Sequence, residues 1–165
     1  MCCTPLSERS GRSAWHDRAV ALILLLHGAN LNLLGEREPE IYGKSTLADY
    51  VAATMAAAQA AGHTVDAVQS NHEGELIEAI HSARGRAAAI IINPGAFTHY
   101  AWAIHDALAA FDGPVVEVHI SNPNAREPWR NTSVVAPVAL GTIAGFGMQG
   151  YELAVAAVAR KLANA

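Results

Sequence analysis

Polar side chains follow three apolar segments of the chain, and their types suit acid–base chemistry on a small molecule. Asn30, Arg37 and Tyr42 follow the first apolar segment. The two later groups are Asn93, Thr98 and His99, and then His119, Ser121, Asn122, Arg126 and Arg130. The carboxyl ends of parallel strands meet at one edge of an α/β sheet, where ligands bind. We therefore expect these side chains to share one site.

A glutamate and a histidine form the most specific pair in this set. Residues 116–121 alternate between apolar and polar, which is typical of a strand, and Glu117 and His119 then lie on the same face. A carboxylate beside an imidazole fixes its tautomer and favours the protonated ring, which suits His119 to act as a general acid. A purely structural Glu–His pair is the alternative interpretation.

Several of the other candidates also have ordinary structural interpretations. Asn30 can hold a turn, Tyr42 can pack as an aromatic, and Arg37 can be a solvated charge. Signatures of several other reaction classes are missing: there is no HExxH or comparable metal-ligand set, the loop after the first apolar segment has neither GxGxxG nor GxxxxGK[ST], and there is no GxSxG elbow. A Schiff-base enzyme needs a buried lysine, and the only lysines are Lys44 in a loop and Lys161 near the C-terminus.

The composition indicates one globular domain that associates with copies of itself. The chain has 165 residues, 52% of them hydrophobic and 16% charged, so its surface is short of charge for a monomer. A net charge of −4 argues against a nucleic-acid or acidic-membrane partner. Adjacent cysteines at Cys2 and Cys3 cannot staple a core, which favours a reducing compartment, the cytoplasm. No apolar run reaches transmembrane length.

Strand-like and helix-like segments alternate along the chain. The predicted strands are 19–26, 64–69, 87–92, 115–119 and 138–143, and the predicted helices are 46–61, 74–84, 98–111 and 151–163. This order predicts a single parallel sheet with helices on both faces, in one catalytic domain of residues 19–165. Residues 1–18 are polar and lack hydrophobic periodicity, so we predict a disordered extension, with a signal peptide as the alternative.

The candidate residues lie in motifs that recur in order along the chain. These motifs are HGANLNLLG at 27–35, REP at 37–39 with YG at 42–43, QSNHEGELI at 69–77, INPGAFTH at 92–99, EVHISN at 117–122, REPWR at 126–130 and GMQGY at 147–151. In sequence, order and spacing they resemble the type II 3-dehydroquinate dehydratases (type II dehydroquinases) over residues 22–162. The chain departs from the family pattern at Ala29, where proline is usual.

The resemblance implies a fold, a reaction and an assembly. The fold is a flavodoxin-like three-layer sandwich with a five-stranded parallel sheet. The reaction is the anti elimination of water from 3-dehydroquinate, through an enolate, to give 3-dehydroshikimate in the shikimate pathway or in quinate catabolism. The family uses no metal and no organic cofactor, and its members assemble as dodecamers, each a tetramer of trimers. A non-catalytic flavodoxin-like domain that binds a small molecule in the same pocket is the alternative.

The resemblance also assigns the catalytic roles. Tyr42 matches the base that removes the C2 proton, and Arg37 matches the group that makes this phenol more acidic. Lowering a phenol pKa from near 10 by two units requires about 3 kcal/mol of preferential stabilisation of the phenolate. Asn30 matches the group that stabilises the enolate through an ordered water. His119 matches the acid that protonates the departing C1 hydroxyl, and Glu117 matches the residue that orients it.

The same resemblance assigns the substrate-binding residues. The substrate carboxylate is expected on the Ser121 hydroxyl and on the backbone amides of Ile120 and Ser121. The residues expected to bind the ring hydroxyls and the carboxylate are Asn93, His99 and Arg130. Asp106 matches a carboxylate that the adjacent subunit of the trimer donates, so the trimer would complete the active site.

Overall fold

Five parallel strands form one sheet in the computed structural model, which describes residues 20–36 and 43–164. The strands are β1 (Leu22–His27), β2 (Thr64–Gln69), β3 (Ala89–Asn93), β4 (Val115–His119) and β5 (Gly141–Ala144). Their order across the sheet is β2-β1-β3-β4-β5, with every neighbouring pair parallel. This is the flavodoxin-like order, which changes direction between β1 and β3. The predicted α/β fold is therefore confirmed.

Four α-helices cover the two faces of the sheet. They are α1 (Leu47–Ala60), α2 (Glu73–Ala83), α3 (Trp102–Ala109) and α4 (Gly147–Ala163). Alternate residues of a strand point to opposite faces. Accordingly, Ile23 and Leu25 of β1 pack in the core under α1 and α4, whereas Leu24 and Leu26 pack in the core under α2 and α3. These buried layers fix the sheet that carries the site.

Several predicted element boundaries were wrong; β1, for example, begins at Leu22 rather than at residue 19. The strand predicted at 138–143 begins at Gly141, because residues 136–138 form a 3-10 turn around Pro137, which has no amide hydrogen to give a ladder. The helix predicted at 98–111 begins at Trp102, since residues 95–99 form a separate 3-10 helix. The last helix begins at Gly147 rather than at Tyr151; the low helix propensity of its glycines obscured this start.

Some predictions fall outside the described residues. The disordered extension proposed for 1–18 is one, and the positions of Arg37 and Tyr42 are others. Within residues 20–36 and 43–164, no helix combines the length and the apolar character needed to cross a membrane.

Candidate active site

A cavity of about 200 Å³ opens at the carboxyl ends of β1, β3 and β4. Its polar lining residues are Asn30, Asn93, His99, His119, Ser121, Arg126 and Arg130. The cavity lies where the strand order changes direction, which is the position at which open α/β sheets bind ligands. The structure thus brings together seven of the eleven polar side chains that were expected to share one site, although they are far apart in sequence.

The loop after β1 places Asn30 by a close approach of two backbones. The Gly28 amide donates to the Asn93 carbonyl at 2.8 Å, and a Cβ atom at Gly28 would lie 1.9 Å from the Pro94 carbonyl oxygen. Asn30 has a φ of 67°, in the left-handed region that asparagine tolerates. Its backbone amide donates to Asn71 Oδ1 at 2.8 Å. Asn30 therefore holds the turn and also lines the cavity.

His119 and Glu117 form the buried pair that their spacing on β4 predicts. His119 Nε2 lies 2.9 Å from Glu117 Oε1, and the carboxylate is 0% exposed. Burial raises the pKa of Glu117, but hydrogen bonds from His119, Thr98 and Ser133 outweigh it and hold that pKa below its ordinary value. Glu117 is therefore an anion behind His119, which itself faces the cavity.

Asn93 reaches the cavity from the other face of the sheet. Its Nδ2 donates to the Tyr151 hydroxyl at 2.8 Å, and its Oδ1 accepts from the Gly95 amide at 3.1 Å. Tyr151 is fully buried and stacks on His27, with ring centroids 5.6 Å apart. Burial lowers the pKa of His27 to about 4, so its ring is neutral at pH 7. The Asn93 amide is thus oriented by uncharged neighbours.

The outer wall of the cavity is cationic. Arg130 donates from Nε to Glu127 at 2.7 Å, and its guanidinium lies 4.0 Å from the centroid of the Trp129 ring. Arg126 is paired with the same carboxylate at 3.6 Å. The hydrogen bond from Arg130 holds the pKa of Glu127 below its ordinary value. Two guanidinium groups against one carboxylate leave this wall attractive to an anionic ligand.

The comparison with known proteins decides the family. Residues 21–159 match the family model described as "Dehydroquinase class II". The chain belongs to the class II dehydroquinases. This confirms the family that the motifs resemble.

Relatives of this dehydroquinase cover nearly the same length. A 3-dehydroquinate dehydratase of Halalkalibacterium halodurans is 54% identical over 136 residues, covering 82% of this chain and 94% of the relative. A catabolic 3-dehydroquinase of Aspergillus clavatus is 54% identical over 137 residues, covering 83% and 91%. The crystal structure of type II dehydroquinase from Propionibacterium acnes superposes with a TM-score of 0.81 at 43% identity, covering 85% and 97%.

Four predicted site residues in the described part of this dehydroquinase do not line the cavity: Thr98, Asp106, Glu117 and Asn122. Glu117 lies behind His119, as its orienting role requires. Asp106 is exposed on α3 and is not among the residues that line the cavity of its own chain. Ile120, in contrast, lines the cavity together with Ser121, and its role in binding a carboxylate stays a prediction. Tyr42 and Arg37 belong to the undescribed residues, so their place in the site stays a prediction. No metal-binding cluster of His, Cys, Asp or Glu occurs within 20–36 and 43–164.

Sequence reasoning missed several residues that support the site. Ser133 and Thr142 donate hydrogen bonds to Glu117, Tyr151 holds Asn93, and Trp129 packs against both His99 and Arg130. The only sequence signal for Trp129 and Tyr151 was their presence in the motifs. No local sequence pattern indicated that Ser133 and Thr142 would contact Glu117, because both lie far from it along the chain.

Proposed function

We propose that this class II dehydroquinase removes water from 3-dehydroquinate to give 3-dehydroshikimate. The observation that carries the proposal is the His119–Glu117 pair, whose imidazole faces a cavity with a cationic wall. The reaction needs a proton donor for a departing hydroxyl and a binding site for a carboxylate. The cavity provides candidates for both.

The reaction starts at the carbon beside the ketone. A base removes the C2 proton, because the resulting negative charge is delocalised onto the C3 oxygen as an enolate. We assign the base to Tyr42 and its activation to Arg37, on the strength of the REP and YG motifs. The enolate then re-forms the ketone as the C1 hydroxyl leaves, which places the new double bond between C1 and C2.

His119 supplies the proton that turns this hydroxyl into water. Glu117 is a carboxylate, which only accepts hydrogen bonds, so the His119 Nε2 that faces it carries a hydrogen. Nδ1 is then the ring nitrogen available to the substrate, and it can donate when the ring is protonated. General acid catalysis of this kind contributes about 10²- to 10⁴-fold to a rate.

The remaining cavity residues bind and orient the ring. Asn30 lines the cavity, and we assign to it the stabilisation of the enolate oxygen through a water. Ile120, Ser121 and Arg130 form the proposed carboxylate site. Asn93 and His99 are proposed to bind the ring hydroxyls. The Nδ1 atom of His99 donates to the Thr132 carbonyl at 2.7 Å, which leaves Nε2 for the ligand.

We further propose that the active form is a dodecamer, a tetramer of trimers, in the cytoplasm. The exposed position of Asp106, which does not line the cavity of its own chain, supports this, since the matching carboxylate in the family is donated to the site of an adjacent subunit. Tyr100 and Trp102, which are 59% and 62% exposed just before it, offer the aromatic surface typical of subunit contacts. The adjacent cysteines support a reducing compartment.

The test is the ultraviolet absorption of the conjugated enone product. Wild type is expected to form product from 3-dehydroquinate, whereas His119→Asn and Tyr42→Phe are expected to lose at least 100-fold in kcat while still binding substrate. His81→Asn, the same change at an exposed histidine, serves as the control. Substrate binding by wild type without product would favour the non-catalytic alternative and refute the proposal.

A further inference from the structure

Three hydroxyl groups surround the buried carboxylate on the side away from the cavity. Thr98 donates to Glu117 Oε1, Ser133 Oγ lies 3.0 Å from both carboxylate oxygens, and Thr142 donates to Oε2 at 3.1 Å. None of the three lines the cavity, and Thr98 is only 1% exposed. We call Thr98, Ser133 and Thr142 the hydroxyl cage. With His119 included, four side chains hydrogen bond to this carboxylate.

The hydrogen positions in the cage follow from its neighbours. Ser133 Oγ accepts from the backbone amides of Val135 at 3.1 Å and Ala136 at 2.9 Å. A hydroxyl oxygen has two lone pairs, so these amides use both and the Ser133 hydrogen is left to donate. Thr98 Oγ1 lies 2.9 Å from Ser133 Oγ but finds no lone pair there, so its hydrogen also goes to Glu117. The cage is therefore a set of donors that matches an ionised carboxylate.

Burial alone would act in the opposite direction. A carboxylate with 0% exposure is desolvated, which favours its neutral form. A neutral Glu117 would be formed by taking the proton of its imidazolium neighbour, which would leave a neutral ring and remove the proposed acid. Hydrogen bonds from hydroxyl groups stabilise the anion and oppose this transfer.

We propose that Thr98, Ser133 and Thr142 are positioning residues of the dehydration: they hold Glu117 ionised and fixed, so that the proton stays on His119. This inference rests on the proposed function of His119 as the acid. The cage residues act only through Glu117, since none of them lines the cavity.

The test replaces single hydroxyl groups by methyl groups of similar shape. Thr98→Val and Thr142→Val each remove one donor, and Thr98→Ser restores it. Thr54→Val is the matched control for Thr98→Val, because both threonines are buried but Thr54 donates to the Tyr50 carbonyl within α1, at 2.7 Å. Kinetics are measured with 3-dehydroquinate, and the protonation of Glu117 is followed by infrared difference titration of the carboxyl stretch, assigned with Glu117→Gln.

The two Val variants in the cage are expected to lose about tenfold in kcat with little change in KM, and the Glu117 titration midpoint is expected to rise by about one pH unit. Thr98→Ser should recover both, and Thr54→Val should change neither. An unchanged Glu117 midpoint in both cage variants would overturn the proposal, whatever happens to kcat. The infrared measurement needs no turnover, so failure of the cage is distinguishable from absence of dehydratase activity.

Discussion

The stability of this fold should fall as the pH drops below neutrality, and one buried imidazole supplies a defined part of that fall. His27 ends β1, is 1% exposed, and neither ring nitrogen has a hydrogen-bond partner among residues 20–36 and 43–164. Its ring stacks on Tyr151 at a centroid distance of 5.6 Å. Protonation would place a charge in this core without a partner, and burial accordingly lowers the pKa of His27 from 6.5 to about 4.

The size and sign of the effect follow from these two values. Between about pH 6.5 and 4 the unfolded chain binds a proton at His27 that the folded chain does not, so the free energy of unfolding decreases as the pH falls. One pKa unit corresponds to about 1.4 kcal/mol, so His27 lowers the free energy of unfolding by about 3 kcal/mol between pH 6.5 and 4. About 2 kcal/mol of this loss occurs above pH 5. Above pH 7 the ring is neutral in both states and contributes no pH dependence.

Urea unfolding of wild type and His27→Phe from pH 7.5 to 5, at one protein concentration, isolates this contribution. The phenyl ring keeps a stacking partner for Tyr151 and cannot titrate. We expect wild type to lose about 2 kcal/mol more than the variant over this range, whereas the variant's packing cost stays constant with pH. His81→Phe, an exposed control, should follow wild type. Parallel curves for wild type and His27→Phe would refute the reasoning.

Three further substitutions test how the cavity is built. Gly28→Ala should destabilise the fold by about 3 kcal/mol in chemical unfolding, because its Cβ atom would lie 1.9 Å from the Pro94 carbonyl oxygen; a loss under 1 kcal/mol would contradict this contact. Glycine readily adopts a φ of 67°, so we expect Asn30→Gly to keep near-native stability but to lower kcat about tenfold or more. An unchanged kcat would exclude a catalytic role for the Asn30 side-chain amide. Tyr151→Phe removes the hydroxyl oxygen that accepts from the buried Asn93 side-chain amide, so we expect the free energy of unfolding to fall by about 1–3 kcal/mol and KM to rise. An unchanged KM would show that Tyr151 does not orient Asn93 for substrate.

The central strands could be predicted because their signals are local. Residues 90–92 are three consecutive isoleucines, and such runs are typical of strands buried on both faces. The observed β3, Ala89–Asn93, is fully buried and differs from the prediction by only two residues at its start and one at its end. The strand β4 was predicted without error, and its alternation placed Glu117 and His119 on one face. The acid pair of the candidate site was thus visible in the sequence.

The supporting contacts could not be predicted, because they join residues that are distant along the chain. Ser133 and Thr142 lie 16 and 25 residues from Glu117, the first in a segment with no predicted element and the second in the last predicted strand. The Asn93–Tyr151 hydrogen bond spans 58 residues. Such contacts depend on how the helices and loops pack over the sheet, and a single sequence carries no periodic signal for that packing.

The two faces of the sheet prepare the cavity in opposite electrostatic ways. Under α2 and α3, a hydroxyl cage stabilises the only buried carboxylate within the described residues, that of Glu117. Under α1 and α4, burial keeps His27 and Tyr151 neutral, and they support the uncharged amide of Asn93. The buried negative charge therefore acts on His119 without a competing buried cation on the other face. It follows that substitutions under α2 and α3 should mainly change proton transfer, whereas substitutions under α1 and α4 should mainly change stability and substrate affinity.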